Sequence, residues 1–370
     1  MSRLASAVVV ATLVAACGSD LPTGSDGEPI YVERAAGALV VTVTVGDGPP
    51  QTGVLDVMSP LTVLDAPLGQ AVERHGTYLG LLGRRSPTVT DQVVRARYSP
   101  NALFMHPCDT ADPCTVGRPG TPTPITAVVG ADTFTSDALR VSPGTDQVTI
   151  FPDIAGSNAA RAAACEAVVA SPFFGGGTLI IGGTEVTFSG LRPTLGVCLS
   201  PDPANPERTR RGTDATMVLS TGIGTSILGR SRYVAWQVAT GGPAVESLPP
   251  ATVLLPSGPI EGRLARIDAL AIVGSSASPQ GACRQVYASH VLADGACPAG
   301  SDCPCTNATV CAAVAVVELA DEFEALVVAD DEPLLQALRT EVRPDQPEID
   351  GVLGLGALAT TEFDLDYPNA

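Results

Sequence analysis

The chain has 370 residues, with 39 acidic side chains against 21 basic ones and a net charge of -18. An acidic chain with no basic run does not bind nucleic acid through phosphate contacts, and a hydrophobic share of 45% is too high for an acidic disordered chain. The 38 glycines and 32 prolines argue against a helical bundle and for short strands joined by many turns.

The first residues read as a leader. Arg3 supplies a positive start, and residues 4–16 are an apolar run too short to span a bilayer. The run ends in Val14-Ala15-Ala16-Cys17, which resembles a bacterial lipobox. The resemblance implies a signal peptide over residues 1–16, acylation of Cys17 and a lipid bilayer as partner through that lipid. The alternative is a plain secretory signal with an incidental cysteine. Residues 17–35 read as a flexible tether. Gly18 stands where an inner-membrane retention aspartate would be, so the outer membrane of the cell envelope is the expected address.

Strand patterns follow. Residues 38–45 are β-branched and apolar, 46–50 are turn-rich, and 52–55 start a second strand. Residues 93–98 are strand-like and end in Tyr98, while 148–151 form another strand. Residues 158–169 are alanine-rich and read as a helix. Strands at 178–181 and 185–188 flank Gly182-Gly183, a hairpin pattern. Residues 332–342 have Pro333 near the start and apolar residues at helical spacing. Gly175-Gly176-Gly177 reads as linker, because no Lys-Ser/Thr pair follows to make a phosphate loop.

Ten cysteines agree with an oxidising compartment. Cys108 and Cys114 could close a small loop, Cys165 and Cys198 a longer one, and Cys283, Cys297, Cys303, Cys305 and Cys311 crowd one segment. That segment lacks regular metal-ligand spacing and has only His290 nearby, so neither metal nor cofactor is expected.

An internal repeat carries the most information. Residues 52–64 (TGVLDVMSPLTVL) align without gaps on residues 216–228 (TMVLSTGIGTSIL). Residues 125–134 (ITAVVGADTF) align on 349–358 (IDGVLGLGAL), with Gly130 opposite Gly354. Both pairs occur in the same order.

These blocks resemble the pepsin-like and retropepsin-like aspartic proteases. In that family each lobe has an apolar strand, an Asp-Thr/Ser-Gly loop, and later a hydrophobic-hydrophobic-Gly element threaded behind it. Here the acid loops are at Asp56-Val57-Met58-Ser59 and Ser220-Thr221-Gly222, with Val128-Val129-Gly130 and Val352-Leu353-Gly354 behind them. The last residues, Phe363-Asp364-Leu365-Asp366-Tyr367, look like the family's final strand. The resemblance implies a mostly β, bilobed fold with two related lobes, at 36–154 and 178–370, joined by a linker at 155–177. It also implies a cleft that takes a peptide or protein.

The departures bear on chemistry. The family mechanism needs two carboxylates sharing one proton, one acting as base on water and the other as acid toward the carbonyl. Here Asp56 is present, but Ser220 stands at the second acid position and Val57-Met58 replaces Thr-Gly in the first loop. A serine hydroxyl cannot share a proton as a carboxylate does. The expectation is a catalytically inactive cell-envelope lipoprotein that binds a peptide or protein. The alternatives are a residual aspartic endopeptidase using Asp56 and a structural envelope protein. Asp65 and Asp214 are spaced wrongly to fill the vacated place. Ser59 and Ser220 have no triad around them, since His75, His106 and His290 lie in no triad motif. Tyr98 falls where the family often has its flap, although an ordinary amphipathic tyrosine explains it as well. Tyr233 and Trp236 read as core.

Overall fold

The computed structural model describes residues 27–45, 49–64, 78–86, 89–97, 103–104, 114–134, 137–151, 177–181, 184–188, 192–201, 212–273, 281–283, 285–286, 316–319, 321–342 and 347–367. The first half contributes β1 (Glu28–Ala35), β2 (Ala38–Val45), β3 (Gln51–Leu55), β4 (Val63–Leu64), β5 (Tyr78–Ser86), β6 (Val89–Arg97), β7 (Leu103–Phe104), β8 (Thr115–Arg118), β9 (Thr121–Pro124), β10 (Ala127–Val129), β11 (Ala138–Ser142) and β12 (Gln147–Phe151). The second contributes β13 (Gly177–Ile181), β14 (Thr184–Phe188), β15 (Thr194–Leu199), β16 (Thr213–Ser220), β17 (Ser226–Gly229), β18 (Pro250–Leu255), β19 (Gly258–Ile267), β20 (Leu270–Val273), β21 (Val316–Leu319), β22 (Phe323–Val328), β23 (Gly351–Gly354) and β24 (Phe363–Asp366). The helices α1 (Arg230–Thr240) and α2 (Pro333–Thr340) stand among them. The chain is mostly β, as its composition and turn density imply.

The strands form two large sheets and the separate hairpin β13–β14. Each large sheet is built round one motif in one register. In the first, β3 runs parallel to β10, with Val54 opposite Val128, and β10 runs antiparallel to β4, with Val128 opposite Val63. In the second, β16 runs parallel to β23, with Val218 opposite Val352, and β23 runs antiparallel to β17, with Val352 opposite Ile227. These pairings match the gapless sequence repeat position by position. β10, β17 and β23 are buried along their whole length. Continuous apolar runs are what strands covered on both faces require.

The halves also exchange strands. β24 joins the first sheet antiparallel to β11, with Leu139 opposite Leu365. Arg140 on β11 grips Asp364 on β24 with two hydrogen bonds, at 2.9 and 3.0 Å, and its guanidinium lies 5.1 Å from the Phe151 ring centre. The β8–β9 hairpin joins the second sheet beside β18, where Arg118 pairs with Glu324. The β1–β2 turn, Ala36-Gly37, has both φ angles positive (49° and 88°), as a tight two-residue hairpin turn demands. It rests against Gly224, where any side chain would run into the Ala36 backbone.

Helix α1 ends at Gly241, whose left-handed φ of 78° lets its N–H reach the Gln237 carbonyl at 2.8 Å. Tyr233 and Trp236 point inward from it and pack together, as the sequence reading expects of core residues. Helix α2 starts at Pro333 and buries Leu335 and Leu338. The 332–342 pattern therefore gives a helix shortened by a residue or two at each end.

One cysteine expectation is corrected. Cys198 pairs with Cys283, not with Cys165. The Asp214 carboxylate accepts hydrogen bonds from the N–H groups of Gly281 and Cys283, at 3.0 and 2.7 Å, and so brings Cys283 to β15. Cys114 is also disulfide-bonded. Cys17, the other six cysteines, the 158–169 pattern, Asp65, Tyr98 and the three histidines lie outside the described residues. Among the described residues no helix is long and apolar enough to cross a membrane.

Candidate functional site

Two loops meet where the sheets adjoin, and the fold builds them alike. β3 ends at Leu55, and the chain turns through Asp56 and Val57, with the Ser59 N–H on the Asp56 carbonyl at 3.0 Å. β16 ends at Ser220 and turns through Thr221-Gly222. Behind the first loop the Gly130 N–H donates to Thr62 Oγ1, and behind the second the Gly354 N–H donates to Ser226 Oγ, each at 3.1 Å. The next residues repeat the match. Ala131 N–H bonds the Ser59 carbonyl and Leu355 N–H bonds the Ile223 carbonyl, each at 2.8 Å. Gly130 and Gly354 are glycines because the threaded segment passes against backbone. An added methyl at Gly130 would land on the Leu61 carbonyl, and one at Gly354 would come within 2.8 Å of the Thr225 carbonyl carbon.

The structure brings Asp56 and Ser220 face to face. The Ser220 hydroxyl donates to Asp56 Oδ1 at 2.8 Å. The same oxygen accepts the Met58 N–H at 3.0 Å, and the Gly222 N–H lies on the Ser220 oxygen at 3.2 Å. Gly222 is pressed against the carboxyl, since an added Cβ would sit 2.6 Å from Asp56 Cγ. Asp56 is 7% exposed and Ser220 is fully buried. Burial pushes the Asp56 carboxyl above the usual carboxylate value, while hydrogen bonds from Ser220, Met58 and Gly222 and the charge of Arg192 hold it down.

Thr221 crosses between the halves. Its Oγ1 donates to the Leu55 carbonyl at 2.8 Å and accepts the Val57 N–H at 3.2 Å. The aligned position in the first loop is Val57, which is buried and has no hydroxyl to return the contact. The clasp is one-sided. Met58 aligns with Gly222 of the second loop, and its side chain enters the core of the second half with Val218, Ile223 and Leu326. Ser59 turns its hydroxyl onto the Leu61 carbonyl at 2.7 Å.

Three residues at this junction were not found from the sequence. Arg192 donates to the Met58 carbonyl and to Glu341 Oε1, each at 2.8 Å, and its Nε forms an ion pair with Glu341 Oε2 at 2.6 Å. Tyr367, just past β24, is buried, and burial together with the charge of Asp56 raises its hydroxyl pKa. Arg192 and Glu341 are 149 positions apart, and no local spacing announces them.

The chemistry available is that of one buried carboxylate and one hydroxyl. A proton shared between two carboxyls has no counterpart here, since a serine hydroxyl does not ionise in the range where a carboxyl does. Ser220 is fully buried with its proton committed to Asp56, which is a poor placement for a nucleophile. Asp214 is held at the Cys283 turn rather than beside Ser220. Among the described residues no group of three or more His, Cys, Asp or Glu side chains could hold a metal ion.

No family model matches the chain, and no curated protein matches it. Among solved structures it is similar to the crystal structure of an aspartic proteinase from Irpex lacteus, at 11% identity over 93% of this chain and 95% of that one, with a TM-score of 0.34.

Proposed function

We propose that this chain is a cell-envelope lipoprotein, anchored through acylated Cys17, whose aspartic-protease-like fold does not cleave but holds a peptide or protein segment between its halves. The observation that carries the reading is the 2.8 Å contact of Asp56 with Ser220, at aligned positions of two loops otherwise built alike. Its architecture supports a fold that presents two acids, and its chemistry supplies only one. General acid–base help contributes about 10²–10⁴-fold, and activation of the attacking water depends on the same pair. A second reading, a structural envelope protein, is favoured by Met58, whose side chain ties the first loop into the second core.

The test uses the full chain in detergent with a peptide library between pH 2 and 7. No cleavage above background is expected, no change on Asp56→Asn, and retention of a subset of peptides. Acid cleavage that Asp56→Asn abolishes would establish a residual endopeptidase instead. Neither cleavage nor retention would favour the structural reading.

A further inference from the structure

The one-sided clasp raises a question of support. Thr221 holds Leu55 and Val57 of the first loop, but Val57 cannot hold the second loop in return. Asp56 itself needs a fixed setting, because a buried carboxyl keeps its three donors only if the backbone on both sides stays put. Residue 55 is held by Thr221. Residue 58 lies past the stretch that Thr221 holds, and there Arg192 arrives from the segment before β15.

We propose that Arg192, set by Glu341, is the positioning residue of the first acid loop, tying the Met58 carbonyl across the halves beyond the reach of Thr221. Three features carry this. The guanidinium is nearly buried, with 12% of its side chain exposed, so it is not a loose surface arginine. One arm of its fork donates to Glu341 Oε1 at 2.8 Å, and its Nε lies 2.6 Å from Glu341 Oε2 as an ion pair, so the guanidinium is held against one carboxylate. Its remaining arm meets a carbonyl that lies two residues from Asp56, on the residue whose N–H bonds that same carboxyl. Glu341 sits directly after α2, so the tie runs from the acid loop to the second half's helix. Arg192 also places a positive charge near Asp56, opposite in effect to the burial around it. The groups facing Asp56 are then Ser220, Arg192 and, from the end of the chain, Tyr367. The proposal concerns the setting of Asp56 and does not rest on whether the protein cleaves or binds peptides.

The experiment compares Arg192→Met, Arg192→Lys and Glu341→Gln in the full chain, without any peptide. Amide exchange at Met58 and Ser59 and the carboxyl titration of Asp56, followed by NMR, are read together. Arg192→Met is expected to speed exchange at Met58 by roughly tenfold, the size of losing one hydrogen bond to a charged group, and to move the Asp56 midpoint upward. Arg192→Lys keeps the charge but not the fork, so its titration should stay near the original while exchange still rises. Glu341→Gln keeps the shape and loosens the arginine, and should raise exchange by less. Should Arg192→Met fail to fold, Arg192→Lys and Glu341→Gln decide the matter. Unchanged exchange at Met58 in every folded variant, or an unmoved Asp56 midpoint in Arg192→Met, would overturn the proposal and leave an ordinary stabilising ion pair.

Discussion

The two acid loops share a backbone but not a chemistry. Each is threaded from behind by a glycine whose N–H meets a hydroxyl, Thr62 in one half and Ser226 in the other. The second loop has the crossing threonine and a glycine, Thr221 and Gly222, and carries Ser220 opposite Asp56. The first keeps Asp56 but has Val57 and Met58 after it. The hydrogen bonds that thread each loop from behind end on Thr62 and Ser226, not on Asp56 or Ser220. The first loop has recruited other ties: Thr221 and Arg192 from across the junction, and Met58 in the opposite core.

The largest expected effects test how closely the loops are threaded. Gly130→Ala puts a methyl on the Leu61 carbonyl and should destabilise by about 3 kcal/mol, while Gly354→Ala, with slightly more room, should cost about 1–2 kcal/mol. Urea unfolding of both variants measures this, and equal losses would remove the distinction between the loops. Next comes the clasp. Thr221→Val leaves the Leu55 carbonyl and the Val57 N–H without their partner and should cost about 2 kcal/mol. Val57→Thr should change stability by less than about 1 kcal/mol, unless its hydroxyl completes the second side. A neutral Thr221→Val would show that the crossing contact contributes nothing.

The smallest effect is a pH dependence. The Asp56 carboxyl is raised above its ordinary value of 3.8, chiefly by burial. The folded state therefore holds that proton more tightly than the unfolded one. Its contribution to stability is full below the unfolded value and is lost as pH rises through the folded value. Melting of the protein against Asp56→Asn should shift in the variant's favour as pH rises from about 4. Ser220→Ala removes a hydrogen bond that holds the carboxyl down, and should widen that window upward. A difference in melting that stays flat from acid to neutral pH would contradict the burial of Asp56.

Local signals made part of this legible. The gapless repeat contains the apolar strands, the glycines and the hydroxyls of both loops, and each partner lies in a short run whose pattern is set by backbone threading. Residues 38–45 and 333–340 were readable from β-branching and from Pro333 with helical spacing. Helix α1 was not, because Val234, Val238 and Thr240 disguise it, although Gly229 and Gly241 mark both ends. Arg192, Glu341 and Tyr367 were illegible for another reason. Their roles come from chain segments far apart in sequence that the fold brings together. The pairing of Cys198 with Cys283 likewise depends on Asp214 gathering a distant turn.

The exchange of strands has a consequence for the chain as a physical object. The first sheet is closed at one edge by β24 from the far end of the sequence, and the second is extended by β8 and β9 from before the midpoint. Neither half therefore owns all of its own sheet. A proteolytic nick between residues 155 and 177 would sever the covalent path but leave each fragment holding a strand of the other. The nicked protein should travel as one body until a denaturant parts it.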